Sequence, residues 1–278
     1  MDSHMMKIIF TNKRQFDDFA SGRMHSPPRR RPMELHKTKG IVLKTVKYGE
    51  TSLIATLYTE LFGVQSYMVN GVRTSSRKGP GKANMFQPAA ILDLVVYHNE
   101  MRQLQRIREF QWEVIYRHIF FDVLKNAVAL FMVELLQKCI KQPEPNPDLF
   151  YFIEDAFLHL DASEGRVLAN FPLFFILHLA GFFGFRIQDE YSEKNAILDL
   201  REGQFIHEPP PHGQALEGAL SYHTAQLLRV QRPEELLELP LNQETRRALL
   251  QAYQAFYALH VPDFGEMKTL PVLQTVLS

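Results

Sequence analysis

Four cations, Arg73, Arg77, Lys78 and Lys82, fall within ten residues that hold no aspartate or glutamate and are otherwise glycine, serine, threonine and proline. A supple cationic loop of this kind is a ligand for phosphates, because its charges can follow a sugar–phosphate backbone without a rigid register. More cations flank it. Lys39, Lys44 and Lys47 precede it with Tyr48 beside them, and Arg102, Arg106 and Arg108 follow it. On an extended strand the last three share a face. Tyr48, Tyr67 and Phe86 are expected to offer rings on which unpaired bases could stack.

Bond-making chemistry finds no comparable support. No two of the 11 histidines have HExxH spacing. His207 and His212 flank three prolines with no carboxylate placed to complete a site, and there is no GxSxG elbow. Gly79-Pro80-Gly81-Lys82 resembles a phosphate loop but has Ser76 where its first glycine belongs, and Ala83 where magnesium would need a hydroxyl. Cys139, the single cysteine, lies on an apolar helix beside Leu136 and Ile140 and reads as a packing residue. It rules out an internal disulfide and fits a reducing compartment. The acid pairs Asp189-Glu190 and Glu234-Glu235 are the only motive for a nuclease, and such pairs commonly serve solvation or a helix dipole. The expectation is a protein that is not an enzyme, with no cofactor and no metal.

The elements that must carry these residues change character at Trp112. Ahead of it, Ile41, Leu43 and Val46, then Leu53 to Tyr58, then Val64 to Val69, then Ile91 to Tyr97, then Leu104 and Ile107 read as five short strands parted by polar turns. Five strands in about 75 residues suggest a small barrel or sandwich. After it, Ile115, Ile119, Val123, Val128, Phe131 and Leu135 recur at helical spacing. Further helices are expected over 149–160 with Asp148 as N-cap, and over 165–184, 214–228 and 242–260. Residues 186–212 form an irregular insert, with a hairpin expected from 197–200 and 204–207. Residues 167–185 carry no Asp, Glu, Lys or Arg and approach the length of a membrane span, yet Asn170, Pro172 and His178 interrupt them. A buried helix is expected there.

The 278 residues are 46% hydrophobic and 22% charged, ordinary for a folded chain. Zero net charge hides a gradient, with +4 over residues 1–32, +5 over 33–111 and −9 over 112–278. Such asymmetry suggests different partners for the two halves, a polyanion for the first. Residues 1–32, with a tag-like start and a triple arginine, read as a flexible leader. The barrel is then assigned to 33–111 and the helical domain to 112–278. The fold class is α+β multidomain.

Specific pieces carry a resemblance. These are Gly49-Glu50-Thr51-Ser52, the Gly71-Val72-Arg73 step before the basic loop, Phe86-Gln87-Pro88 entering the fourth strand, the helical stretch FPLFFILHLAGFFGF, and Lys268-Thr269-Leu270 near the end. Together they resemble the RecO family of bacterial recombination mediators over nearly all of residues 35–278. The resemblance implies an N-terminal oligonucleotide-binding (OB) barrel and a C-terminal helical domain. It implies binding of single- and double-stranded DNA, strand annealing, and partnership with RecR. It also implies contact with the acidic tail of the single-stranded-DNA-binding protein (SSB), help in loading RecA at gaps, and a cytoplasmic, nucleoid-associated location. Many members carry a four-cysteine zinc site after the third helix; residues 188–205 here contain no cysteine, so zinc is not expected.

On this reading the DNA-binding set is Lys39, Lys44, Lys47, Tyr48, Arg73, Arg77, Lys78, Lys82, Arg102 and Arg106. Arg117, Phe121, Lys125, Lys138 and Lys141 are candidates for partner binding. The alternative is a helical protein–protein scaffold with a weak or vestigial nucleic-acid-binding barrel.

Overall fold

The computed structural model describes residues 34–73, 82–141 and 144–277. The expected leader, and Arg77 and Lys78 of the basic loop, lie outside the described residues. The described chain from Leu35 onward is one compact unit.

Five strands, β1 (Glu34–Tyr48), β2 (Ser52–Thr59), β3 (Gly63–Val69), β4 (Ile91–His98) and β5 (Leu104–Trp112), close into a barrel in the order β1-β2-β3-β5-β4. The β3–β5 pair is parallel and the other registered pairs are antiparallel. Val42 and Ala90 close the ring, Val42 N–H donating to the Ala90 carbonyl at 2.8 Å. Alternation dictates the interior, with Leu53, Ala55, Leu57, Tyr67, Val69 and Leu94 turned inward. Phe86, on a short 3-10 helix over Lys82–Phe86, is buried in the same core. Strand β1 passes close to its neighbours at Gly40. A Cβ there would stand 2.8 Å from Leu94 Cδ1 and 3.1 Å from Leu57 Cδ2, so only glycine fits without repacking.

Six helices follow: α1 (Val123–Cys139), α2 (Pro147–Ala162), α3 (Gly165–Ala180), α4 (Gly218–Arg229), α5 (Gln243–His260) and α6 (Thr269–Val276). The first begins later than the spacing suggests. Asp161 accepts backbone N–H groups from Arg117, His118 and Ile119, each at 2.8 Å, which holds that segment in turns; Asp122 then caps α1. Helix α2 is capped by Asn146 rather than Asp148, with Pro147 in the first turn, where its missing N–H costs nothing. Helix α4 starts at Gly218, because residues 215–216 form a strand instead. Helix α6 was not anticipated. Glu134 on α1 accepts the N–H groups of Lys268 and Thr269 at 2.8 and 2.7 Å and so fastens its start.

Helix α3 with the turn that follows, Gly165–Phe183, is long and apolar enough to cross a membrane. In the fold it is the central helix, with Phe171, Leu173, Phe175 and Ile176 wholly buried among the other helices. The expected hairpin exists as β6 (Ile197–Asp199) and β7 (Gln204–Ile206), joined by β8 (Ala215–Leu216) in a three-stranded sheet.

Barrel and helices share one core. Ile41, Leu43, Tyr58 and Ile91 turn away from the barrel interior into the helical cluster. Tyr58 Oη donates to the Asn146 carbonyl at 3.0 Å, Tyr116 Oη to that of Ala89 at 3.0 Å, and Gln137 to that of Leu43. This wall is covered, so only the remainder of the barrel is open to a partner.

Candidate nucleic-acid interface

The open wall follows from register. Lys44 is opposite Thr56, Thr56 opposite Ser66, and Ser66 opposite Leu104. One pleat further, Val46, Ile54, Met68, Arg106 and Tyr97 stand in a row across all five strands. Their sequence neighbours Leu53, Ala55, Tyr67, Val69, Gln105 and Val96 are buried, so these two rows face outward. Tyr48, half exposed, is opposite Ser52 at the edge of the same wall.

Lys44 and Arg106 are exposed on this wall and form no ion pair among the described residues. Lys47 is also exposed and unpaired there, but it is opposite the inward Leu53 and leaves the strand on the other side from Lys44. Arg73 stands at the root of the basic loop. Its N–H donates to the Thr51 carbonyl at 3.0 Å and its guanidinium to the Gly49 carbonyl at 2.9 Å. It therefore ties the loop to the β1–β2 turn, where Gly49 has the positive φ that the turn requires. Lys82, at the other root, lies 5.9 Å above the Phe110 ring.

Two expected members do not join this surface. Lys39 points into the seam between barrel and helices, with its ammonium 2.9 Å from Glu113 and 3.0 Å from Glu154. Burial pulls its pKa down, but the two carboxylates outweigh that and hold it raised. Arg102 is not on a strand face. It sits in the β4–β5 turn, where its N–H reaches the Asn99 carbonyl at 3.0 Å, at the end of the barrel away from Gly49. That far end adds little positive charge through histidine. His98 stacks on Phe62 at 3.9 Å, and burial, then His36, lowers its pKa. Arg108 pairs with Glu109 at 3.2 Å. Of the expected stacking rings, Tyr67 and Phe86 are buried and unavailable, while Tyr48 is open. Val46, Met68 and Tyr97 were missed. The signal that could have found them is period-two alternation carried across paired strands, which needs the register.

The partner candidates also divide. Lys125 is buried, donating to the Asp161 carbonyl at 2.6 Å, and Lys138 donates to the Phe264 carbonyl at 2.6 Å while lying 5.3 Å from its ring. Both hold the helical fold together. Lys141 is exposed beside an open cavity of about 500 Å³ that Tyr58, Cys139 and Phe183 help to line. Burial pushes the Cys139 thiol up to about 12, which makes it a poor nucleophile. Arg117 is exposed, and Phe121 is 83% exposed in one stretch with Ile115 and Val123.

Zinc does not fit the insert. Asp199 is buried and accepts N–H groups from Arg201 and Glu202 at 2.7 and 3.2 Å, and His212 Nε2 stands 3.2 Å from its other oxygen. Among the described residues no three His, Cys, Asp or Glu side chains gather to hold a metal. The sequence reading had missed Asp199 as the partner of His212, because 13 residues separate them.

The family model for the recombination protein O N terminal matches residues 33–116, and that for its C terminal matches residues 121–269. A DNA repair protein RecO from Phocaeicola vulgatus is 30% identical over 244 residues, covering 88% of this chain and all of the relative. One from Bacteroides fragilis is 32% identical over 241 residues, 86% of this chain and 98% of the relative. One from Christiangramia forsetii is 31% identical over 240 residues, with the same coverage.

Proposed function

The chain belongs to the recombination protein O (RecO) family of DNA repair proteins, and on that premise we propose that it is a non-enzymatic recombination mediator that holds DNA on the open wall of its barrel. The observation that supports this most is the pair Lys44 and Arg106, exposed on one wall without a carboxylate partner among the described residues. Lys47, Arg73 and Lys82 border it, and Arg77 and Lys78 belong to the adjoining loop.

Annealing needs no bond-making group. Two polyanions must approach each other, so cations must offset their repulsion, and several weak phosphate contacts let strands slide into register. The −9 helical half repels DNA and confines it to the barrel. In the cytoplasm the protein would act with RecR and with the SSB tail to load RecA at gaps. The exposed Phe121, Ile115 and Val123 with Arg117 support a docking place for an apolar, acidic partner segment. The test is annealing of complementary oligonucleotides without nucleotide or metal. Acceleration by the wild type, reduced when Lys44, Lys47 and Arg106 are all changed to alanine, supports the reading. No acceleration over protein-free strands would refute it.

A further inference from the structure

The outward row contains more than cations. Val46, Ile54, Met68 and Tyr97 stand in register with Arg106, and Val46 and Tyr48 are each 51% exposed. Phosphate contacts alone give no reason for apolar and aromatic side chains at the middle of a cationic wall. The adjacent row holds Lys44, Thr56, Ser66 and Leu104, and neither row contains an aspartate or glutamate. Strands lie about 4.8 Å apart, so the five-strand row spans roughly 19 Å. A path of that length, apolar along its floor with a cation on each side of it, is complementary to a strand whose bases are unpaired. The bases lie on the floor, and the phosphates reach Lys44 and Arg106. A duplex keeps its bases stacked inside and offers the floor only phosphates and sugars.

We infer that the Val46–Ile54–Met68–Tyr97 row receives unpaired nucleobases and gives this barrel its preference for single strands over duplex. The inference rests on the DNA-binding reading above and adds the residues that discriminate. Base stacking on protein side chains tolerates any sequence, so the preference is for strandedness and not for a motif.

The test compares a fluorescent oligo-dT with a hairpin duplex of equal phosphate number, both at several salt concentrations. The triple variant Val46→Ser, Met68→Ser, Tyr97→Ser should lose about tenfold or more in single-strand affinity, keep duplex affinity within twofold, and leave both salt slopes unchanged. Tyr97→Phe, which keeps the ring, should bind as wild type does. Equal losses for both substrates, or no loss for either, overturn the inference while leaving the cationic wall in place. Wild type that binds neither substrate at low salt refutes the DNA-binding reading itself. A second measurement needs no variant: oligo-dT carrying 4-thiothymidine should photocross-link to the peptides holding Met68 or Tyr97, and cross-links found only elsewhere overturn the inference.

Discussion

Lys39 and Glu154 meet across the seam between barrel and helices at 3.0 Å, with Glu113 2.9 Å away on the same ammonium. A lysine placed by sequence among DNA ligands is thus a bridge between the two halves. The three groups are partly open to water, so screening limits their worth. Lys39→Ala should cost ~1 kcal/mol in urea unfolding, while its oligo-dT affinity stays within twofold of wild type. A DNA-affinity loss as large as that of Lys44→Ala would return Lys39 to the interface.

That exchange of roles marks how far the sequence could be read. The five strands, the change at Trp112 and the buried α3 were legible because they rest on local periodicity. The loss of Lys39, Arg102, Tyr67 and Phe86 from the site was not, since it depends on what lies across a seam or on which pleat faces outward. Lys39 is 115 residues from Glu154, and no local pattern encodes that contact. Helix α6 was missed for a related reason: its start is fixed by Glu134, more than 130 residues earlier.

Glu134 gives a pH prediction. Burial alone would raise its pKa, but the Thr269 hydroxyl and the N–H groups of Lys268 and Thr269 hold it below the usual 4.5. A carboxylate depressed in the folded state contributes stability that is complete above the unfolded pKa and is lost as pH falls through the lower folded value. Amide exchange over residues 269–276 should therefore accelerate, relative to the global rate, below about pH 4.5. Glu134→Gln should show the faster exchange already at neutral pH, at a cost of ~1 kcal/mol. Unchanged protection in that variant would remove the cap from the account.

Asp161 accepts three consecutive backbone N–H groups at 2.8 Å and sets where α1 begins. Removing the acceptor leaves those donors to water or to nothing. Asp161→Ala should destabilise the fold by ~1–3 kcal/mol, with the loosening centred on residues 117–121 in exchange experiments. Loss spread evenly over the helices would contradict this.

The insert is held by the Asp199–His212 contact and by buried Leu198, Phe205 and Leu216. A strong chelator should leave the melting temperature unchanged, and added zinc should not raise it. Asp199→Ala should lower it, since the N–H groups of Arg201 and Glu202 lose their acceptor. A chelator-induced drop would show that a metal supports the fold after all.

The most direct test is the salt dependence of oligo-dT binding. Each lost phosphate contact on a single strand should flatten the log–log slope by about 0.7. Lys44→Ala, Lys47→Ala and Arg106→Ala combined should therefore reduce it by about 2, with weaker binding at every salt concentration. An unchanged slope in that triple variant, with the barrel folded, would contradict the claim that this wall is where DNA is held.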